Sequence, residues 1–150
     1  MAVEIVNLQK SMRLPRRAIA RAIALVSREE LGRDVRVSVA VVTDARIAEL
    51  NRAWLGHEGP TDVLSFALGD GRPGGDDVFG EIVISADRAI EEARRRGLDP
   101  EREFLLYAVH GMLHLAGYDD TTPAKAKRMH RREAEMLRRL GKPARRAVRS

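Results

Sequence analysis

The sequence predicts a single domain built from both strands and helices, and three observations carry that expectation. Its 150 residues match one ordinary domain with one core. Short β-prone segments are interspersed with amphipathic ones. Prolines, glycines and small polar residues then mark where the amphipathic segments should start and stop as helices.

Taken in order, VEIVNL (residues 3–8) alternates weakly and reads as a short strand. Pro15 suits the first position of a helix whose apolar stripe is Ile19, Ala22, Ile23 and Val26, and Gly32 ends it. VRVSVAVV (35–42) alternates and then turns wholly apolar, as a buried strand does. Thr43 caps a second helix that should present Ile47, Leu50 and Trp54 to the core before Gly56 closes it. A third strand begins near Asp62, and GDGRPGGDD connects it to VFGEIVIS as an irregular hairpin. That turn lacks the Walker spacing and its Lys-Ser or Lys-Thr pair, so it is connection rather than a phosphate loop. Ser85 caps a third helix ending at Gly97, and Asp99, Pro100 and Glu101 form a strong start signal for a fourth. Thr122 and Pro123 open the last helix, with Ala126, Met129, Leu137 and Leu140 on its apolar side. Residues 1–141 should form the domain, and 142–150, KPARRAVRS, a flexible basic tail.

Composition narrows the function. At 44% hydrophobic and 33% charged, the chain is neither disordered nor membrane-embedded, and a soluble protein is expected. The start, MAVEIVNLQK, has no basic region followed by an apolar one, so the cytoplasm is the expected location. Cysteine is absent, which excludes disulfide partners and thiolate ligands and leaves His, Asp and Glu to hold any metal. Residues 125–150 carry 11 Lys and Arg against 2 acidic residues, whereas the rest carries 16 against 20. Positive charge gathered at one end suggests a polyanion partner, although a solvated helix face has the same composition.

The chemistry centres on HGMLHLAGYDD, residues 110–120. His110 and His114 stand four apart in a helical segment, so both imidazoles project from one face, one turn apart. The flanking run FLLYAVHGMLHLA (104–116) is apolar on nearly every side, which describes a buried helix. Imidazoles in such a setting need partners, because an unpaired polar group there costs on the order of 1 to 3 kcal/mol. A shared metal meets that need. Gly117 stops the helix, and Tyr118, Asp119 and Asp120 follow in a turn that can supply a third ligand; two histidines and a carboxylate form a known catalytic zinc set.

Three segments, PTDVLSF (60–66), GEIVIS (80–85) and HGMLHLAGYD (110–119), stand in the order and spacing of the YbeY family of metal-dependent endoribonucleases, which the chain resembles over most of its length. The resemblance implies an α+β fold: a mixed four-stranded sheet with about five helices packed around a central metal-bearing helix. It also implies one zinc ion, cleavage of single-stranded RNA, and work in rRNA maturation and ribosome quality control. Two positions depart from the family pattern. Asp120 stands where a third histidine is usual, so the expected ligands are His110, His114 and Asp120, with His130 as a fallback. Leu55 stands where an arginine is usual, and leucine can neither position a phosphate nor stabilise its charge. His57, two residues on, is the candidate to take that role as phosphate contact or proton donor.

Lys125, Arg128, Arg131 and Arg132 on the last helix are the candidate RNA contacts. With one Trp, two Tyr and three Phe there is little material for base stacking, so binding should follow backbone charge and be salt-sensitive. A zinc protease would need glutamate directly after the first histidine, and Gly111 stands there. The alternative to a nuclease is a non-catalytic ribosome-assembly factor that binds rRNA and whose metal is structural.

Overall fold

The computed structural model describes residues 3–59, 61–70 and 77–142. Four strands, β1 (Val3–Asn7), β2 (Val37–Val42), β3 (Val63–Ala67) and β4 (Gly80–Ser85), form one sheet in the order β1-β2-β4-β3. β1 and β4 both run parallel to β2, and β3 is antiparallel to β4. The sheet is therefore mixed, and the antiparallel pair is the expected hairpin; residues 71–76 of its connection lie outside the described residues.

Alternation along the strands decides which layer each side chain joins. Val37, Val39, Val41, Ile82 and Ile84 enter the main core with helices α1 (Arg16–Val26), α3 (Ala86–Arg96), α4 (Pro100–Leu115) and α5 (Pro123–Arg139). Val42, Val83 and Leu64 instead pack with Ile47 of α2 (Asp44–Leu50) in a smaller cluster. α4 packs against β3, β4, α1, α3 and α5, which is why its sequence is apolar on nearly every side.

The caps fall where the sequence places them. The side chains of Thr43, Ser85, Asp99 and Thr122 each accept a backbone N–H from the first turn of α2, α3, α4 and α5 respectively. One core assignment differs. Ile47 is buried, Leu50 is only partly so, and Trp54 is 71% exposed. α2 runs into a wider π turn (Asn51–Leu55), which takes more residues per turn and so breaks the ordinary helical phase on which Trp54 would face the core. Asn51 is buried in that turn, and its side-chain amide donates to the Gly59 carbonyl at 3.0 Å.

Gly111 lets α4 approach the sheet. A Cβ there would stand 2.8 Å from Ile82 Cγ2 and 3.1 Å from Ser65 Oγ, inside ordinary contact distance. Ser65 Oγ also donates to the Gly111 carbonyl at 3.2 Å. A side chain at the position after His110 would force Ile82 to shift, so the glutamate of a zinc protease does not fit this packing.

Candidate functional site

His110 and His114 occupy the last turns of α4. His110 is held in the interface with α5, its side chain 29% exposed, and His114 is exposed. The Nδ1 of His110 lies 2.5 Å from Glu133 Oε2 on α5. Glu133 is itself buried, with 7% of its surface exposed. Burial pushes the His110 pKa down, but the hydrogen bond and charge of Glu133, helped by Asp62 and Asp120, outweigh it and leave the value raised.

α4 ends at Leu115, and Gly117, at φ 111°, turns the chain into the segment that carries the acidic pair. That segment is tied down from two sides. The Tyr118 hydroxyl donates to both oxygens of Glu30, at 3.1 and 3.2 Å, and Glu30 also accepts from Arg132 Nε at 2.5 Å. Asp119 accepts from the Thr121 hydroxyl at 2.7 Å and the Thr121 N–H at 3.1 Å, which holds its pKa down. Asp120 is exposed beside it.

The donor chemistry fits a divalent cation: two imidazoles on one helix face and carboxylates on the turn that follows. Their placement is only partly assembled. Among the described residues, no three His, Asp or Glu side chains are grouped closely enough to hold a metal ion, so His110 and His114 share a face without Asp120 completing a three-donor cluster.

His110 opens onto a cleft of about 330 Å³, whose walls include Asp62, Arg88, Glu103, Tyr107 and His130. Glu103 is part of a buried ion pair with Arg102 at 3.1 Å, the two side chains 1% and 3% exposed. Burial, followed by the charge of Glu103, pushes the Tyr107 pKa far up. His130, an exposed residue between buried Met129 and exposed Arg131, therefore lines the same cleft as His110. His57 is exposed and is not among the residues lining the cleft, although Thr61 and Asp62, at the far end of its loop, are. Leu55 is 47% exposed.

The basic face of α5 is partly engaged. Arg132 pairs with Glu30 and with Glu135 at 2.7 Å, Lys125 lies 3.6 Å from Asp119, and the Arg128 guanidinium sits 5.6 Å from the Tyr118 ring centre. Arg131 is exposed. Lys142 pairs with Asp99 at 3.8 Å and with Glu101, so the chain is anchored up to that point; 143–150, the rest of the expected tail, lies outside the described residues.

Glu133 is the residue that sequence reasoning missed. The signal was present: Met129, Glu133 and Leu137 are spaced four apart on the buried stripe of α5, and a carboxylate on an apolar stripe needs a partner.

Comparison with known proteins agrees with this architecture. The sequence pattern described as Endoribonuclease YbeY matches residues 4–141. A relative of that name from Anaeromyxobacter sp. (strain Fw109-5) is 45% identical over 127 residues, covering 84% of this chain and 65% of its own. One from Moorella thermoacetica is 41% identical over 126 residues, covering 79% and 81%. The chain spans just under two thirds of the Anaeromyxobacter relatives, 65% and 66%. The solution structure of TM1509 from Thermotoga maritima superposes with a TM-score of 0.63 at 30% identity, over 92% of this chain and 88% of that one. With a family match across nearly all of the described fold, the chain belongs to the endoribonuclease YbeY family.

Proposed function

We propose that this chain is a zinc-dependent endoribonuclease that cuts single-stranded RNA during rRNA maturation and ribosome quality control in the cytoplasm. The observation that carries the reading is the His110–His114 pair at the end of α4, beside a cleft, in a chain of this family. His110, His114 and Asp120 would hold the ion, with Asp120 closing from its exposed turn. Zinc, when bound, supplies Lewis acidity toward a phosphodiester oxygen and a readily deprotonated water.

The chain's own groups do the rest. His110, held by Glu133, keeps one donor fixed in the cleft wall. Along that wall Asp62, Glu92, Glu103 and Glu133 outnumber Arg88 and Arg96, a balance that favours a cation. Lys125, Arg128 and Arg131 offer positive charge to the RNA backbone along α5, and Arg132 contributes chiefly by fixing Glu30. His57 is our candidate for a phosphate contact or proton donor, standing on the loop whose end lines the cleft.

The test is cleavage of an end-labelled single-stranded RNA by zinc-loaded protein, with His114→Ala purified identically and a chelator control. Cleavage lost in the variant and with chelator supports the nuclease. Wild-type protein that binds RNA but never cuts it, with a saturated zinc ion lacking exchangeable water, would support the assembly factor. The exposed leucine at position 55, in place of a cation, is what favours that second reading.

A further inference from the structure

Glu133 has no packing reason to be where it is. The buried stripe of α5 is otherwise Met129, Met136 and Leu137, and a carboxylate loses hydration there that an apolar side chain would not. What it gains is one short contact, to Nδ1 of His110. A carboxylate accepts, so the imidazole nitrogen donates. In the neutral ring only one nitrogen carries a proton, and fixing it at Nδ1 leaves the lone pair on Nε2. Among the described residues Nε2 has no hydrogen-bond partner.

We propose that Glu133 is a positioning residue for the cation site: by accepting the Nδ1–H of His110, it sets the tautomer and ring orientation that present Nε2 to a divalent metal. The inference rests on the metal reading of His110 and His114 given above. The carboxylate also makes the imidazole a stronger donor, as outer-shell carboxylates do for metal-bound histidines. Glu133 reaches the site from α5, so the metal site and the docking of α5 on α4 share one bond. His130, three residues earlier on α5 and lining the same cleft, has no described contact with His110.

The competing account is that the pair merely pins the two helices together. Two substitutions in the full-length protein separate the accounts. Glu133→Met fills the same stripe with an apolar side chain and removes the acceptor; Glu133→Gln keeps an acceptor oxygen without the charge. With histidine ring nitrogens labelled, long-range proton–nitrogen spectra of the zinc-free protein at about pH 9, above the histidine range, read the tautomer directly. Wild type and Glu133→Gln are expected to show His110 as Nδ1–H, and Glu133→Met as the mixture seen in free imidazole.

Zinc affinity, measured by competition with a chromophoric chelator, should fall about 10- to 100-fold in Glu133→Met. It should fall less in Glu133→Gln, while the thermal midpoint of the Met variant stays at or above wild type. A mixed tautomer in the wild type would overturn the inference. So would wild-type zinc affinity in Glu133→Met while His114→Ala has lost binding, or affinity and stability falling together in both Glu133 variants. Equal zinc binding by wild type and His114→Ala would instead remove the metal reading itself, and this inference with it.

Discussion

Replacing Gly111 by alanine sets two effects of known sign against each other. Alanine in a helix interior is favoured over glycine by about 1 kcal/mol, so on propensity alone the variant gains. The added methyl, however, meets Ile82 Cγ2 at 2.8 Å and Ser65 Oγ at 3.1 Å, well inside the roughly 3.5 to 4.0 Å of a relaxed contact. Neither neighbour yields freely. Ile82 is fully buried in the inner strand β4, and Ser65 is tied to the Gly111 carbonyl. Overpacking of this kind costs about 1 to 3 kcal/mol, and losing the Ser65 bond adds about 0.5 to 1.5. The net expectation is destabilisation on the order of 1 to 3 kcal/mol. Urea unfolding followed by far-ultraviolet circular dichroism measures it, since the exposed Trp54 is a poor probe of the core. An alanine variant as stable as wild type, or more so, would refute the claim that α4 is held against β4 by the absence of a side chain next to His110.

Three further outcomes are expected. Both tyrosines have raised pKa values, Tyr107 through burial and then Glu103, Tyr118 through burial and then Glu30. The folded protein should therefore develop little tyrosinate absorbance near pH 10, where the unfolded chain ionises. Because the folded values are the higher ones, this contribution to stability is complete below about pH 10 and is lost as pH rises above it; ordinary tyrosine titration in the folded state would contradict it. Arg102→Leu leaves the buried Glu103 carboxylate without its ion-pair partner and should cost about 3 to 5 kcal/mol in chemical denaturation, whereas a cost below about 1 would mean the pair is unimportant. Arg132→Ala should destabilise by about 1 to 2 kcal/mol, between exposed and buried pairs, without changing the salt dependence of RNA binding; Arg131→Ala should lower that slope by about 0.7 for each phosphate the side chain no longer neutralises and leave stability alone.

Much of this could be read from the sequence because local chemistry decided it. Thr43, Ser85, Asp99 and Thr122 cap helices by bonding to residues two or three along the chain, and such contacts follow from sequence alone. The histidine pair was legible for the same reason: its geometry is set by one helix. Trp54 was misplaced because a periodic reading assumes one helical pitch, and the π turn at Asn51–Leu55 breaks it. Glu133 escaped notice because its partner is 23 residues away and it follows the basic pair Arg131 and Arg132. The network joining Glu30, Tyr118 and Arg132 was hidden likewise, since it links the π turn that follows α1 (Ser27–Leu31), the acidic turn and α5. The four histidines divided in a way the sequence could not show. His110 and His130 line one cleft, His114 is exposed one turn further along the His110 face of α4, and His57 stands apart.

The proposed nuclease needs a metal at the end of α4 for RNA cleavage. The most direct measurement is to titrate zinc into the metal-free protein while following the rate of single-stranded RNA cleavage and the bound zinc in the same samples. The expected rate rises in proportion to bound zinc, levels off at about one ion per chain, and stays at background throughout in His110→Ala. A rate indifferent to zinc, or one that survives in His110→Ala, would contradict it.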